Sequence, residues 1–188
     1  IGVGSVYYFA ATTNRYGREL WRSDGTPSGT FLVEDIRLGD DSSLATNLAN
    51  VGAVLYFTAH DGVKGFELWR SDGTSSGTYL VKDIRPGSID SFPDNLTNVG
   101  GVLYFSANDG IHGQELWRSD GTSLGTYLVD DIRPSSDHSS YPRYLTNVGG
   151  ALYFSANDGI NGQELWRSDG TTLGTYLVED IRPSFNQS

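Results

Sequence analysis

The sequence predicts an all-β fold, a four-bladed β-propeller built from four four-stranded antiparallel repeats of about 48 residues. Three observations predict it. The octapeptide Glu-Leu-Trp-Arg-Ser-Asp-Gly-Thr occurs four times, at 19–26, 67–74, 115–122 and 164–171. Its tryptophans, Trp21, Trp69, Trp117 and Trp166, stand 48, 48 and 49 residues apart, and a period of roughly 20–50 residues marks solenoids, propellers or arrays. Each period also holds four short strand-like segments separated by turn residues. Finally, both faces of those segments carry apolar side chains, which a lone meander cannot bury and a radial stack of meanders can. A linear β-array, or a portion of a larger propeller, is the competing arrangement.

The chain reads as one domain, 1–188, with repeats at 3–50, 51–98, 99–147 and 148–188. In the third copy, Val102 to Ala107 sets Leu103, Phe105 and Ala107 on one face and Val102, Tyr104 and Ser106 on the other. Period two with aromatic and β-branched residues is the strand pattern. Glu115 to Ser119, Thr126 to Val129 and Tyr144 to Val148 are the other three strands. Prolines 86, 93, 134, 142 and 183 fall in the long connections, where a missing N–H breaks no ladder bond. Gly4-Ser5, Gly52-Ala53, Gly100-Gly101 and Gly149-Gly150 precede the Tyr-Phe strands. With only the first place fixed as glycine, they predict type II′ hairpins. Asp-Gly-Thr-x-x-Gly-Thr follows each Trp strand as a longer hairpin loop. Repeat one lacks most of its first strand, and the tail from Phe185 to Ser188 could complete it if the ring closes.

Composition narrows the function classes. The 188 residues include no cysteine and no methionine and carry a net charge of −10. Without cysteines the redox compartment is not legible from disulfide logic. The start at Ile1 reads as a processed product or excised piece, from which any signal peptide is already gone. No apolar run approaches the ~18 residues that span a bilayer, so membrane insertion is not expected. With no basic cluster to neutralise phosphates, nucleic acid is not an expected partner.

Glu-Leu-Trp-x-x-Asp-Gly-Thr, followed by Gly-Thr-x-Leu-Val-x-Asp-Ile and Pro-Gly or Pro-Ser, resembles the ELWxxDGT repeat of large secreted or surface bacterial proteins. The resemblance implies a secreted, extracellular or cell-surface β-repeat domain of propeller type and implies little about activity. Repeat one departs from the pattern, with Thr12-Thr13-Asn14-Arg15 in place of the Asn-Asp-Gly turn and Leu38 in place of proline.

Among the repeated residues, the mid-strand tryptophans read as core, each indole N–H bonded to a neighbouring carbonyl. Asp24, Asp72, Asp120 and Asp169 read as turn formers. Asp35/Arg37, Asp83/Arg85, Asp131/Arg133 and Asp180/Arg182, with Arg22, Arg70, Arg118 and Arg167 on the adjacent strand, suggest repeated ion pairs. Asn108-Asp109-Gly110 and Asn157-Asp158-Gly159 are thin Ca²⁺ candidates, carried by Asp109 and Asp158 with Glu115 and Glu164 nearby. Ca²⁺ takes about six to eight oxygens and each loop offers few, so no cofactor is expected. His60, His112 and His138 occupy unrelated places in their repeats and form no recognisable catalytic arrangement, so an enzyme is not expected.

The positions that differ between repeats are the candidate ligand-binding residues. Tyr16, Phe66, His112 and Asn161 stand on the hairpins, with Asp61, Asn108, Asp109, Asn157 and Asp158 beside them. Phe92, Tyr141 and Tyr144 stand on the connections, with Leu44 and Phe185 at related places. Aromatics beside Asp, Asn and Ser on the loops of a rigid scaffold suit sugar binding. The expected function is therefore a non-enzymatic, lectin-like module with shallow repeated sites for glycans or surface glycoconjugates, with homo-oligomerisation compatible. A structural or adhesive protein-interaction module is the alternative. Asn95 and Asn186 match the N-glycosylation pattern.

Overall fold

The computed structural model describes residues 1–134 and 138–181, and every helix or strand among them is a β-strand. Blade one consists of β1 (Gly2–Val3), β2 (Val6–Thr13), β3 (Gly17–Ser23) and β4 (Phe31–Glu34). Blade two holds β5 (Thr46–Val51), β6 (Val54–Ala59), β7 (Glu67–Ser71) and β8 (Tyr79–Lys82). Blade three holds β9 (Asp94–Val99), β10 (Val102–Asn108), β11 (Gln114–Ser119) and β12 (Tyr127–Asp130). Blade four holds β13 (Arg143–Val148), β14 (Ala151–Asn157), β15 (Gln163–Ser168) and β16 (Tyr176–Glu179). Each is a four-stranded antiparallel sheet with its strands in chain order. Blade boundaries fall ahead of the repeat boundaries, because a two-residue hairpin ties each short strand to the strand that follows it.

Those hairpins come in two kinds. Gly4 and Gly52 have positive φ while Ser5 and Ala53 do not, as type II′ requires. In the later blades both residues of Gly100-Gly101 and Gly149-Gly150 have positive φ. The uniform type II′ expectation therefore gives way to type I′ where a second glycine permits it. In every blade the register between third and fourth strands shifts at the Leu-Trp step, a recurrent bulge beside the tryptophan.

Blades pack face to face. Leu103, Phe105 and Ala107 of β10 bury against Tyr56, Leu68 and Val81 of blade two. From the other face of β10, Tyr104 packs with Leu152, Phe154 and Trp166 of blade four. The same arrangement joins blades one and two through Tyr8, Leu20 and Val33 against Leu55, Phe57 and Trp69. Full burial of such a side chain contributes ~1.5–3 kcal/mol, so these three interfaces carry most of the apolar stabilisation. The innermost strands are stitched together by asparagines: Nδ2 of Asn50, Asn98 and Asn147 donates to the carbonyls of Gly2, Asn50 and Asn98. Among the described residues no core cluster joins blade four back to blade one, and β1 is only two residues long. The tail expected to complete it, from Phe185 onward, lies outside the described residues.

Two expectations about the repeated residues are corrected. Trp69, Trp117 and Trp166 are core and Trp21 is half-buried, yet all four Nε1 atoms are buried without a protein partner among the described residues instead of bonding a carbonyl. Among the described residues the strand arginines do not build the expected ion-pair network. Arg22, Arg70, Arg118 and Arg167 lie over the rings of Phe31, Tyr79, Tyr127 and Tyr176 at 5.1–5.7 Å. Arg22 and Arg118 also donate to the carbonyls of Gly73 and Gly170 in the next blade. A guanidinium above an aromatic ring keeps its charge hydrated on one side, which costs less than burying an ion pair.

Candidate functional site

Antiparallel order places the first and third connections of each blade at one rim and the second hairpin and long connection at the other. The first rim is nearly uniform. Thr26, Thr74, Thr122 and Thr171 each donate backbone N–H and Oγ1 to the Asp two residues before. These hydroxyl bonds hold Asp24, Asp72, Asp120 and Asp169 below the usual carboxylate range. Both features match the turn-forming role expected of them.

The second rim carries all twelve ligand-binding candidates, and a buried glutamate organises it. Glu67 accepts from Ser91 Oγ at 2.6 Å and from the N–H groups of Ile84 and Arg85 at 3.0 and 3.3 Å. Glu19 and Glu115 repeat this with Ser43 and Ser140. All three glutamates are 0% exposed, and loss of hydration raises Glu67 and Glu115 to about 7. Each serine also accepts, through its carbonyl, the N–H of His60, Asn108 or Asn157 in the following blade. The serine thus rivets the long connection to two blades at once. Glu115 is committed to this clamp rather than to the Asp109 turn.

The rivet forces the next residue into the left-handed region. Leu44, Phe92 and Tyr141 have φ of 53, 47 and 50°, a conformation costing a bulky residue ~1–2 kcal/mol. Their N–H groups bond the carbonyls of Arg18, Phe66 and Gln114. All three side chains are exposed at the rim. Strain held in place at exposed aromatics is a recurrent mark of a working surface.

Between blades two and three this brings Phe66 and Phe92 together, stacked with centroids 6.0 Å apart and ring planes 17° apart. His60 lies against Phe66 at 4.6 Å and faces Arg37 Nη1 through Nε2 at 3.3 Å. Burial, then the Arg37 charge, hold His60 below the ordinary histidine range, so a neutral ring receives that N–H. The two phenyl rings wall an open cavity of about 330 Å³ with Thr46, Asn47, Thr58, Pro93 and Asp94. That volume is at the lower end of the ~300–1,000 Å³ typical of ligand sites. One blade on, Gln114 replaces Phe66 and donates Nε2 to Ser106 Oγ at 3.2 Å, while Tyr141 stands where Phe92 does. The sites are equivalent in position and different in chemistry.

The Asp-Gly turns line a second series of grooves. Arg37, Asp61, Gly62 and Val63 border one of about 440 Å³ between blades one and two. Arg133, His138, Asp158 and Ile160 border one of about 520 Å³ between blades three and four. A Cβ on Gly62, Gly110 or Gly159 would meet the Nε of Arg37, Arg85 or Arg133 at 2.9–3.2 Å, so glycine lets the arginine cross the turn. Asp61, Asp109 and Asp158 each accept two backbone N–H bonds through Oδ1. The Oδ2 of Asp109 takes His112 Nδ1 at 2.7 Å, and that of Asp158 takes Asn161 Nδ2 at 2.6 Å. Among the described residues no three His, Asp or Glu side chains converge on a common point for a metal.

The remaining candidates stand apart from the aromatic cavity. Tyr16 lies under the Arg15 guanidinium at 4.9 Å. Asn108 and Asn157 accept the N–H of Gly110 and Gly159. Tyr144 lines a smaller recess with Asn47 and Asn95. Asn95 donates Nδ2 to Pro142 O and Ser106 Oγ, and Asn186 lies outside the described residues. Sequence reasoning missed Asn47, Thr58, Asp94 and the rivet serines. The column Asn47, Asn95, Tyr144 varies between repeats and could have pointed to the cavity floor.

No protein-family model matches the chain, nor does any curated protein. Among solved structures it is similar to a protein assigned as an exo-beta-1,3-galactanase from Bifidobacterium bifidum s17. Identity is 14% and the TM-score 0.37, over 93% of this chain and 68% of that one. A likeness this slight carries no argument about this chain. No helix among the described residues is long and apolar enough to cross a membrane.

Proposed function

We propose that the protein is a non-enzymatic carbohydrate-binding module, acting outside the cell through shallow sites on the divergent rim. The observation that carries this is the Phe66–Phe92 pair, two exposed rings walling a cavity whose other sides are hydroxyl, amide and carboxylate groups. A pyranose offers an apolar face to stack on such rings and equatorial hydroxyls to the polar wall. Asp61, Asp109, Asp158 and the buried glutamates of the rim are committed to turns and clamps, which favours binding over turnover. Sites on successive blades add weak affinities through multivalency.

The test is a glycan array with and without Ca²⁺, run on the native chain and on Phe66→Ala with Phe92→Ala. Retention of neutral glycans that drops at least tenfold in the double variant is expected. Absence of any retained glycan, or retention indifferent to both rings, rejects the reading.

A further inference from the structure

The polar wall of the Phe66–Phe92 cavity is richer in acceptors than in donors. Asn47 gives Nδ2 and Thr58 gives Oγ1 to one carbonyl, that of Pro93, at 3.1 and 2.6 Å. Asp94 accepts the N–H of Asn95 through Oδ1 at 2.8 Å, and no described residue donates to its Oδ2. Asn47 Oδ1, Asp94 Oδ2 and the hydroxyl lone pairs of Thr46 and Thr58 are left for a ligand. The side-chain donors left are the Thr46 hydroxyl and the second amide hydrogen of Asn47. No Lys, Arg or His is among the residues lining the cavity.

The blade itself does not dictate that carboxylate. Thr46, Asp94 and Arg143 hold one register position in successive blades, opposite Thr58, Ser106 and Ser155. The scaffold therefore accepts a hydroxyl, a carboxylate or a guanidinium at this point. In blade four the Arg143 guanidinium lies over the Tyr141 ring at 6.0 Å. In blade three Asp94 is exposed at the cavity walled by Phe66 and Phe92. Phenyl faces attract cations, and an exposed carboxylate adds an attraction that fades with salt. Both repel a second carboxylate.

We infer that this cavity selects amino sugars with a free, protonated amine over their N-acetylated and uronate counterparts, and that Asp94 determines the selection. The apolar face of the sugar stacks on the phenyl rings, while its ammonium donates to Asp94 Oδ2 and its hydroxyls to the remaining acceptors. N-acetylation removes the charge and leaves one N–H, and a uronate sets two carboxylates against each other. The inference rests on the carbohydrate reading of the same cavity and adds to it the charge of the ligand.

Amide chemical-shift titrations at low salt and about pH 6, where the sugar amine is protonated, test it. The probes are glucosamine and galactosamine, their N-acetylated forms, and glucuronate and galacturonate, followed at Phe66, Phe92 and Asp94. The amino sugars are expected to bind about fivefold more tightly than the N-acetylated forms, with the uronates weakest. Asp94→Asn, which keeps an acceptor for the Asn95 N–H, is expected to bring that ratio close to one. Asp94→Arg, the side chain that Arg143 supplies at this position, is expected to put the uronates first. Equal binding of amine and N-acetylated sugars by the native chain, or a ratio that survives Asp94→Asn, overturns the proposal and leaves the carbohydrate reading standing. Nα-acetyl-lysine amide binding as tightly as the amino sugars also overturns it, since the ammonium alone would then be read. Absence of shifts at the cavity with every sugar removes the carbohydrate reading and the proposal together.

Discussion

The two rims of the molecule are made from the same strands and differ in kind. On the Asp-Gly-Thr rim every blade repeats the same Asp–Thr hydrogen bonds, and the copies differ only in hairpin type and in loop residues such as Ser28 against Leu124. On the opposite rim the buried Glu–Ser clamp repeats in blades one to three, but the residues it props up change from leucine to phenylalanine to tyrosine. Repetition therefore marks what builds the blades, and departure from repetition marks what can discriminate a partner. The clamp links these roles, since it spends stability to hold an aromatic in the left-handed region at the surface.

Breaking the clamp tests that contrast most severely. Glu115→Ala leaves the buried N–H groups of Ser140 and Ile132 without acceptors, and an orphaned buried donor costs ~1–3 kcal/mol. A loss of about 3 kcal/mol in urea unfolding is expected. The same glutamates set a pH dependence. Folding raises Glu67 and Glu115 from 4.5 to about 7, so the folded protein holds protons that the unfolded chain releases. That stability is complete below about 4.5, fades as pH rises, and is gone above about 7. Unfolding free energy is expected to fall by about 3 kcal/mol per glutamate across this window, and Glu115→Gln should flatten part of the slope.

Smaller effects sharpen the comparison. Asp120→Ala on the uniform rim removes the acceptor for Thr122 N and Oγ1. It is expected to lower stability by about 1 kcal/mol and leave glycan retention unchanged. On the divergent rim, Tyr144 has φ of 57° where blades two and three place Asn47 and Asn95. Tyr144→Asn is expected to stabilise by about 1 kcal/mol, since asparagine adopts this conformation readily and an exposed ring loses little burial. Thermal unfolding measures both.

Much of the scaffold was legible in the sequence. The 48-residue period, the alternation in Val102 to Ala107 and the Gly-x hairpins gave the strands, their pairing and the two buried faces of β10. The site was legible only in part. Variation between repeats singled out Phe66 and Phe92, but they lie 26 positions apart, and the Glu67–Ser91 clamp with the bonds of Ser91 and Phe92 N–H to the Phe66 carbonyl brings them together. The Glu of Glu-Leu-Trp looked like one polar residue among many, because a one-dimensional pattern does not show that groups from both ends of one long connection converge on it. The arginines misled for a related reason: opposite charges recur at fixed spacing, yet Arg22 and its counterparts lie over ring faces.

The central claim, that shared residues build and divergent residues bind, is tested most directly by amide chemical-shift mapping with the neutral oligosaccharide best retained on the array. The account predicts shifts concentrated around Phe66, Phe92, Asn47 and Asp94, with the Asp-Gly-Thr turns silent. Shifts centred on those turns, or no shifts at millimolar sugar, would contradict it.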